Sequence, residues 1–176
     1  MGSLALAAAV LVSAPRILPG QGQALKIDPS WMAVHAGEST VEFQLVAGLT
    51  PANGGMNFDG ANGGVLTLTV PVKWHVTLHF RNDDENMPHS VEVIPGSSSP
   101  PVTPGSTPAF AGALSKDASQ GVNVGSKQDL HFTANQTGSY LIVCAVPGHG
   151  AAGMWIRLVV SASATKPAMD VGPPAP

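Results

Sequence analysis

A thiol, an imidazole and a thioether fall within eleven residues of this chain, in the run Cys144-Ala-Val-Pro-Gly-His149-Gly-Ala-Ala-Gly-Met154. Cys144 is the only cysteine. A soft thiolate, a weak thioether and two imidazoles make up the ligand set of blue copper: a trigonal two-histidine, one-cysteine site with a long axial methionine. The run supplies three of those four ligands. Taken singly, each residue has a plainer explanation. A lone cysteine is ordinarily a buried small apolar group, and a methionine fills gaps in a core. Their combination with a glycine-flanked histidine, in one loop between two apolar runs, points to a metal. A catalytic cysteine is the sharper rival, and it needs a base held by an orienting group. His149 could be the base, but no Asn or Asp lies nearby in sequence to orient it, and Met154 would have no role.

Two strands must position these donors. Tyr140-Leu-Ile-Val143 and Trp155-Ile-Arg-Leu-Val-Val160 are rich in β-branched and aromatic residues, with no Gly or Pro inside. Cys144 then closes the first strand, Met154 opens the second, and His149 stands in the crown of the loop between them. Pro147-Gly148 is a turn dipeptide, and the loop glycines permit backbone angles that other residues resist. The second histidine must come from another strand end. His89 follows Met87-Pro88 and precedes the alternating run Ser90-Val-Glu-Val-Ile94, which places it where a loop becomes a strand. His75 and His79 share the polar face of Trp74-His-Val-Thr-Leu-His-Phe80 and read as solvated. His131 occupies a similar place in Asp129-Leu-His-Phe132, and His35 lies in an ill-defined segment near Gly37. Position alone therefore selects His89.

These segments resemble the sulfocyanins, a cupredoxin family. The stretch from Tyr140 to Trp155 is similar to the family's copper loop, and Met87-Pro-His-Ser90 resembles its first histidine loop, which supports His89. A third match is Met56-Asn-Phe-Asp-Gly-Ala-Asn-Gly63, where the family usually reads Phe-Asn-Phe-Asn-Gly; Met56 and Asp59 depart from that pattern. Rusticyanin shares the copper-loop spacing and is the nearest competitor, but the Asn- and Gly-rich segment favours sulfocyanin. The resemblance covers roughly residues 40 to 160. It implies a cupredoxin-like antiparallel Greek-key β-sandwich or barrel. It also implies one type 1 copper held by His89, Cys144, His149 and Met154, and electron transfer near a respiratory chain.

The rest of the chain agrees. Alternating runs at Thr40 to Val46, Val65 to Val70, Trp74 to Phe80, His89 to Ile94, Lys127 to Ala134, Gly138 to Cys144 and Met154 to Ser161 are separated by turn residues, and no helix-period segment follows residue 25. Many short strands with Gly and Pro punctuation indicate an all-β sandwich or barrel. Residues 25–164 read as one cupredoxin domain and 165–176 as a disordered Pro-rich tail. Residues 1–24 read as a signal-like or truncated anchor segment. Its apolar run from Leu4 to Val12 is shorter than the ~20 residues a membrane helix needs and matches the apolar part of an export signal, though no basic residue precedes it. An extracytoplasmic location follows, with membrane association through the N-terminus left open. The loop from Pro95 to Gly125 is long, and such excursions are usually functional or mobile. Phe110 and Leu114 are expected to pin it rather than to cover the copper.

Charged residues make up 11% of the sequence, against about 25% in an ordinary domain. The net charge is -3 with no basic run, which argues against nucleic acid as a partner. The cluster Asp83-Asp84-Glu85 reads first as a solvated turn and second as a docking patch. A multicopper enzyme would place histidines beside its cysteine, whereas Val143 and Ala145 flank Cys144. A binuclear copper centre needs a second cysteine. The expected function is one-electron transfer by a monomer whose respiratory-chain redox partners dock near His149. The alternative is a copper storage or delivery protein.

Overall fold

Alternation of apolar and polar residues along most of the nine strands among the described residues decides the architecture. In chain order these are β1 (Met32–His35), β2 (Thr40–Ala47), β3 (Leu66–Pro71), β4 (His75–Asn82), β5 (Glu92–Pro95), β6 (Lys127–Thr133), β7 (Gly138–Val143), β8 (Trp155–Ser161) and β9 (Ala168–Val171). The computed structural model describes residues 25–105 and 107–173, so the signal-like segment 1–24 lies outside the described residues. One sheet has the order β1-β2-β4-β6 and the other β5-β7-β8-β3-β9. Val41, Phe43 and Leu45 of β2, Val76, Leu78 and Phe80 of β4, and Leu130 and Phe132 of β6 turn inward. They meet Leu66, Leu68 and Val70 of β3, Ile142 of β7 and Ile156, Leu158 and Val160 of β8 in a single buried cluster.

The sandwich expected from the sequence is the observed architecture, with one refinement. Five of the seven ladders are antiparallel, but β2 pairs with β4 and β3 with β8 in parallel. Parallel neighbours need a crossover connection. Here β3, which lies between β2 and β4 in sequence, belongs to the opposite sheet, so the chain crosses the sandwich and returns in the same direction. No local pattern announces that.

The tail is a correction. Residues 165–176 were expected to be disordered from their composition, yet Ala168–Val171 forms β9, antiparallel to β3 from Thr69↔Ala168 to Leu66↔Val171. Without it the edge of β3 would present unpaired N–H and C=O groups. Four residues among prolines suffice, because Met169 also packs against the core.

The long loop is pinned as expected. Phe110 is buried, lies parallel to Phe132 at 5.4 Å and tilts against Tyr140 at 4.6 Å. The Ala109 N–H donates to the Val93 carbonyl at 2.7 Å, and the Val93 N–H donates to the Ala113 carbonyl at 3.0 Å. On the outer face of the first sheet, His79 bridges Asp129 and Glu42, His35 reaches Glu42, and His75 and His131 meet Thr133 and Thr77. These four histidines are exposed or half-buried, as alternation predicts for His75 and His79 on β4 and His131 on β6.

Candidate metal centre

The loop between β7 and β8 is closed by its own backbone. The Cys144 N–H donates to the Met154 carbonyl at 3.1 Å, and the Met154 N–H donates to the His149 carbonyl at 3.0 Å. Turns at Val146 to His149 and Gly148 to Ala152 fold the crown between them. Gly148 and Gly153 take φ of 87° and 102°, values that a side chain resists. The result is that Cys144 and Met154 are fully buried while His149 is half-buried.

His89 arrives from 55 residues away. It lies before β5 rather than inside it, because that strand begins at Glu92. Its backbone is held instead by Val122, through hydrogen bonds of 3.3 and 2.8 Å in the two directions. The imidazole is fully buried. Its Nδ1 lies 3.8 Å from the Cys144 Sγ and 3.2 Å from the His149 Nδ1, and the His149 Nδ1 lies 3.6 Å from that Sγ. A triangle with sides of 3.2, 3.6 and 3.8 Å has its centre about 2 Å from each corner. Metal–imidazole and metal–thiolate bonds are about 2.0 and 2.3 Å, as zinc sites illustrate. The three donors thus fit one ion without moving. Among the described residues they form the only such cluster. The sequence had selected these three residues together with Met154. The structure brings the three donor atoms together and ties the buried Met154 through its backbone to Cys144 and His149 at the loop's end.

The electrostatics act on the two donors in opposite senses. Burial pushes the Cys144 thiol above its ordinary value, opposed by the N–H of Ser90. A bound metal ion reverses this, since a coordinating thiol is deprotonated outright. Burial pulls His149 below its ordinary value, with the neighbouring His89 adding to the shift. A neutral imidazole is the form that binds metal.

The supporting roles of four residues escaped the sequence reading. Ser90 donates its N–H to the Cys144 Sγ at 3.4 Å, and its hydroxyl accepts the Ala145 N–H at 3.0 Å. Asn53 donates to the carbonyls of Ala152 and Met56 at 3.0 and 2.9 Å, and Gly63 donates to Gly153 at 2.8 Å. The Asn- and Gly-rich segment is therefore bolted to the end of the loop that carries Met154. Asp84, read as part of a solvated turn, is buried, and its Oδ2 lies 2.9 Å from the His89 Nε2. Burial works to raise its carboxyl, but the His89 ring and the Asn86 N–H outweigh that and hold it below the ordinary value. Asking what accepts the second ring N–H of a ligating histidine would have drawn attention to this acid, five residues before His89.

Fold and centre define a β-sandwich protein in which two histidines and a cysteine at the ends of β7 and β8 could hold one metal ion. The chain belongs to the sulfocyanin family: residues 29–170 match the model of the Sulfocyanin (SoxE) domain. It is 30% identical over 117 residues to sulfocyanin of Sulfolobus acidocaldarius, covering 63% of this chain and 58% of that protein. It is 32% identical over 98 residues to rusticyanin of Acidithiobacillus ferrooxidans, covering 53% of this chain and 59% of that one. The chain thus spans about three fifths of each of these curated relatives. Among solved structures, auracyanin A of Chloroflexus aurantiacus, a "blue" copper protein, superposes with a TM-score of 0.46 at 25% identity, over 69% of this chain and 99% of that one.

Proposed function

We propose that this chain is a one-electron carrier built on a single type 1 copper held by His89, Cys144, His149 and Met154. The observation that carries the reading is the triangle of two imidazole nitrogens and one cysteine sulfur, with sides of 3.2 to 3.8 Å. Copper bound there would alternate between Cu(II) and Cu(I), taking up and releasing one electron. The chain's own residues keep the site ready for both states. His89 is fixed through Val122, Cys144 through Ser90, and the loop through Asn53 and Gly63. Met154, buried beside them, is the weak axial ligand, one of the groups that set a blue-copper potential.

The electron passes through His149. Its ring is half-buried, and Pro147, Ala151 and Ala152 around it are exposed small apolar residues. Redox proteins of a respiratory chain dock there by weak encounters that bury little area. The protein works as a monomer outside the cytoplasm, a location that the apolar run from Leu4 to Val12 supports. No helix among the described residues is long and apolar enough to cross a membrane.

Visible absorption of the Cu(II)-loaded protein tests the reading. An intense thiolate-to-copper band is expected. Cys144→Ser should fold and be colourless, whereas His75→Ala, altered on the outer face of β4, should keep its colour. Readily exchangeable copper without that band would favour storage or delivery, and a coloured Cys144→Ser protein would sink the assignment.

A further inference from the structure

The side chain of Asp84 occupies a place built for it. Gly48 and Gly55, with φ of 69° and 91°, flank it. A Cβ added at Gly48 would fall 2.5 Å from the Asp84 Cβ, and one at Gly55 would fall 2.3 Å from its Oδ2. Gly48 is needed for the close approach of the Asp84 backbone and Cβ, and Gly55 for the carboxylate itself. Asn82 holds the turn: its Oδ1 accepts the Asp84 N–H at 3.0 Å, and its Nδ2 donates to the carbonyls of Met87 and Val122 at 3.0 and 2.8 Å. The carboxylate then accepts on both oxygens, from the Asn86 N–H at 2.9 Å on Oδ1 and from the His89 Nε2–H at 2.9 Å on Oδ2.

We propose that Asp84 is the positioning residue of the centre: its carboxylate locks the His89 ring in the Nε2–H tautomer, so that Nδ1 faces Cys144 and His149 with a free lone pair. The reason lies in the donor count. A neutral imidazole has one N–H and one acceptor nitrogen. With Oδ2 able only to accept, the proton must sit on Nε2, which leaves Nδ1 for the metal. An amide cannot replace this carboxylate. Asparagine offers one accepting oxygen, but two donors, Asn86 N–H and His89 Nε2–H, need acceptors. If its NH2 faced His89, the proton would move to Nδ1 and block ligation; if it faced Asn86, two donors would oppose each other in a buried place. The neighbouring Asp83, half-buried and paired with Arg81 at 2.6 Å, is bound by no such requirement.

This inference rests on the reading of His89 as a ligand, and the test separates the two. Long-range 1H–15N correlation of the imidazoles in metal-free wild type should show His89 as a single Nε2–H tautomer. Zn(II), a redox-inert probe of the donor set, should bind Asp84→Asn about 10- to 100-fold more weakly than wild type, the usual cost of losing a ligand's outer partner. Asp83→Asn should bind as wild type does, and metal-free Asp84→Asn should show His89 as Nδ1–H or as a mixture. An Nδ1–H form of His89 in wild type, which needs no variant to fold, would overturn the role of Asp84. So would Asp84→Asn with Zn(II) affinity within about twofold of wild type while His89→Ala has lost binding. Undiminished Zn(II) binding by His89→Ala would instead refute the ligand assignment itself, and this inference with it.

Discussion

Replacing Asp59 by asparagine should remove a pH dependence that the wild type carries. Asp59 is 1% exposed. Its Oδ1 accepts the Val46 N–H at 2.8 Å, while its Oδ2 has no partner. Burial pushes its pKa up from 3.8 to about 7, against the lowering influence of the Val46 N–H and of the Arg81 charge. The folded state therefore prefers the neutral acid. A raised carboxyl contributes stability that is fully present below its unfolded value of 3.8 and is lost as pH rises towards about 7. A shift of about 3 units at 1.36 kcal/mol each amounts to about 4 kcal/mol across that window. In a chain of this size that corresponds to about 10 °C in Tm. Asparagine has the shape of the neutral acid and tolerates the φ of 53° found at this position. The family segment usually carries asparagine here. Scanning calorimetry of both metal-free proteins should give nearly equal Tm at about pH 4, with Asp59→Asn melting higher by about 10 °C at about pH 8. Glu92, also buried without a partner and pushed up to about 7 by burial, titrates in both proteins and cancels in the difference. Two parallel Tm curves would refute the reasoning.

Met154→Leu, which removes a donor from Cu(II), should raise the reduction potential, and Met154→Gln, which offers a harder oxygen, should lower it; voltammetry giving the reverse order would remove Met154 from the axial position. Ala151→Glu or Ala152→Glu should leave the copper spectrum almost unchanged and slow electron transfer to a physiological partner, because a charge would lose its water at the contact. Stopped-flow rates equal to wild type in both would move the docking surface away from His149. Phe110→Ala empties a place between Phe132 and Tyr140 and should cost about 3–5 kcal/mol in denaturant melts, with the copper band intact in the folded protein.

Most of the centre was legible because most of it is local. Cys144, His149 and Met154 belong to one hairpin, and the strands on either side carry their own signal in β-branched and aromatic residues. Seven of the nine strands among the described residues could be read from alternation. β1 and β9 could not, since neither carries a fully buried residue and so neither shows an inward-facing apolar position. His89 was reached from its place at a loop–strand junction and from the resemblance. Its actual hold, a pair of bonds to Val122, joins residues 33 positions apart and has no local trace.

By itself, then, the sequence determined the donor types, the loop that gathers three of them, and a sandwich of short strands, because hairpin geometry and side-chain alternation act over a few residues. Only the tertiary structure decided that two ladders run parallel, that residues 168–171 close an edge, and that the Asn- and Gly-rich segment braces the end of the loop near Met154. It also separated three neighbouring acids by surroundings alone: Glu85 is exposed, Asp83 pairs with Arg81, and Asp84 is buried against His89. Desolvation and hydrogen bonding are properties of what the chain folds around a residue, so the same carboxylate can be a solvated turn or the partner of a metal ligand.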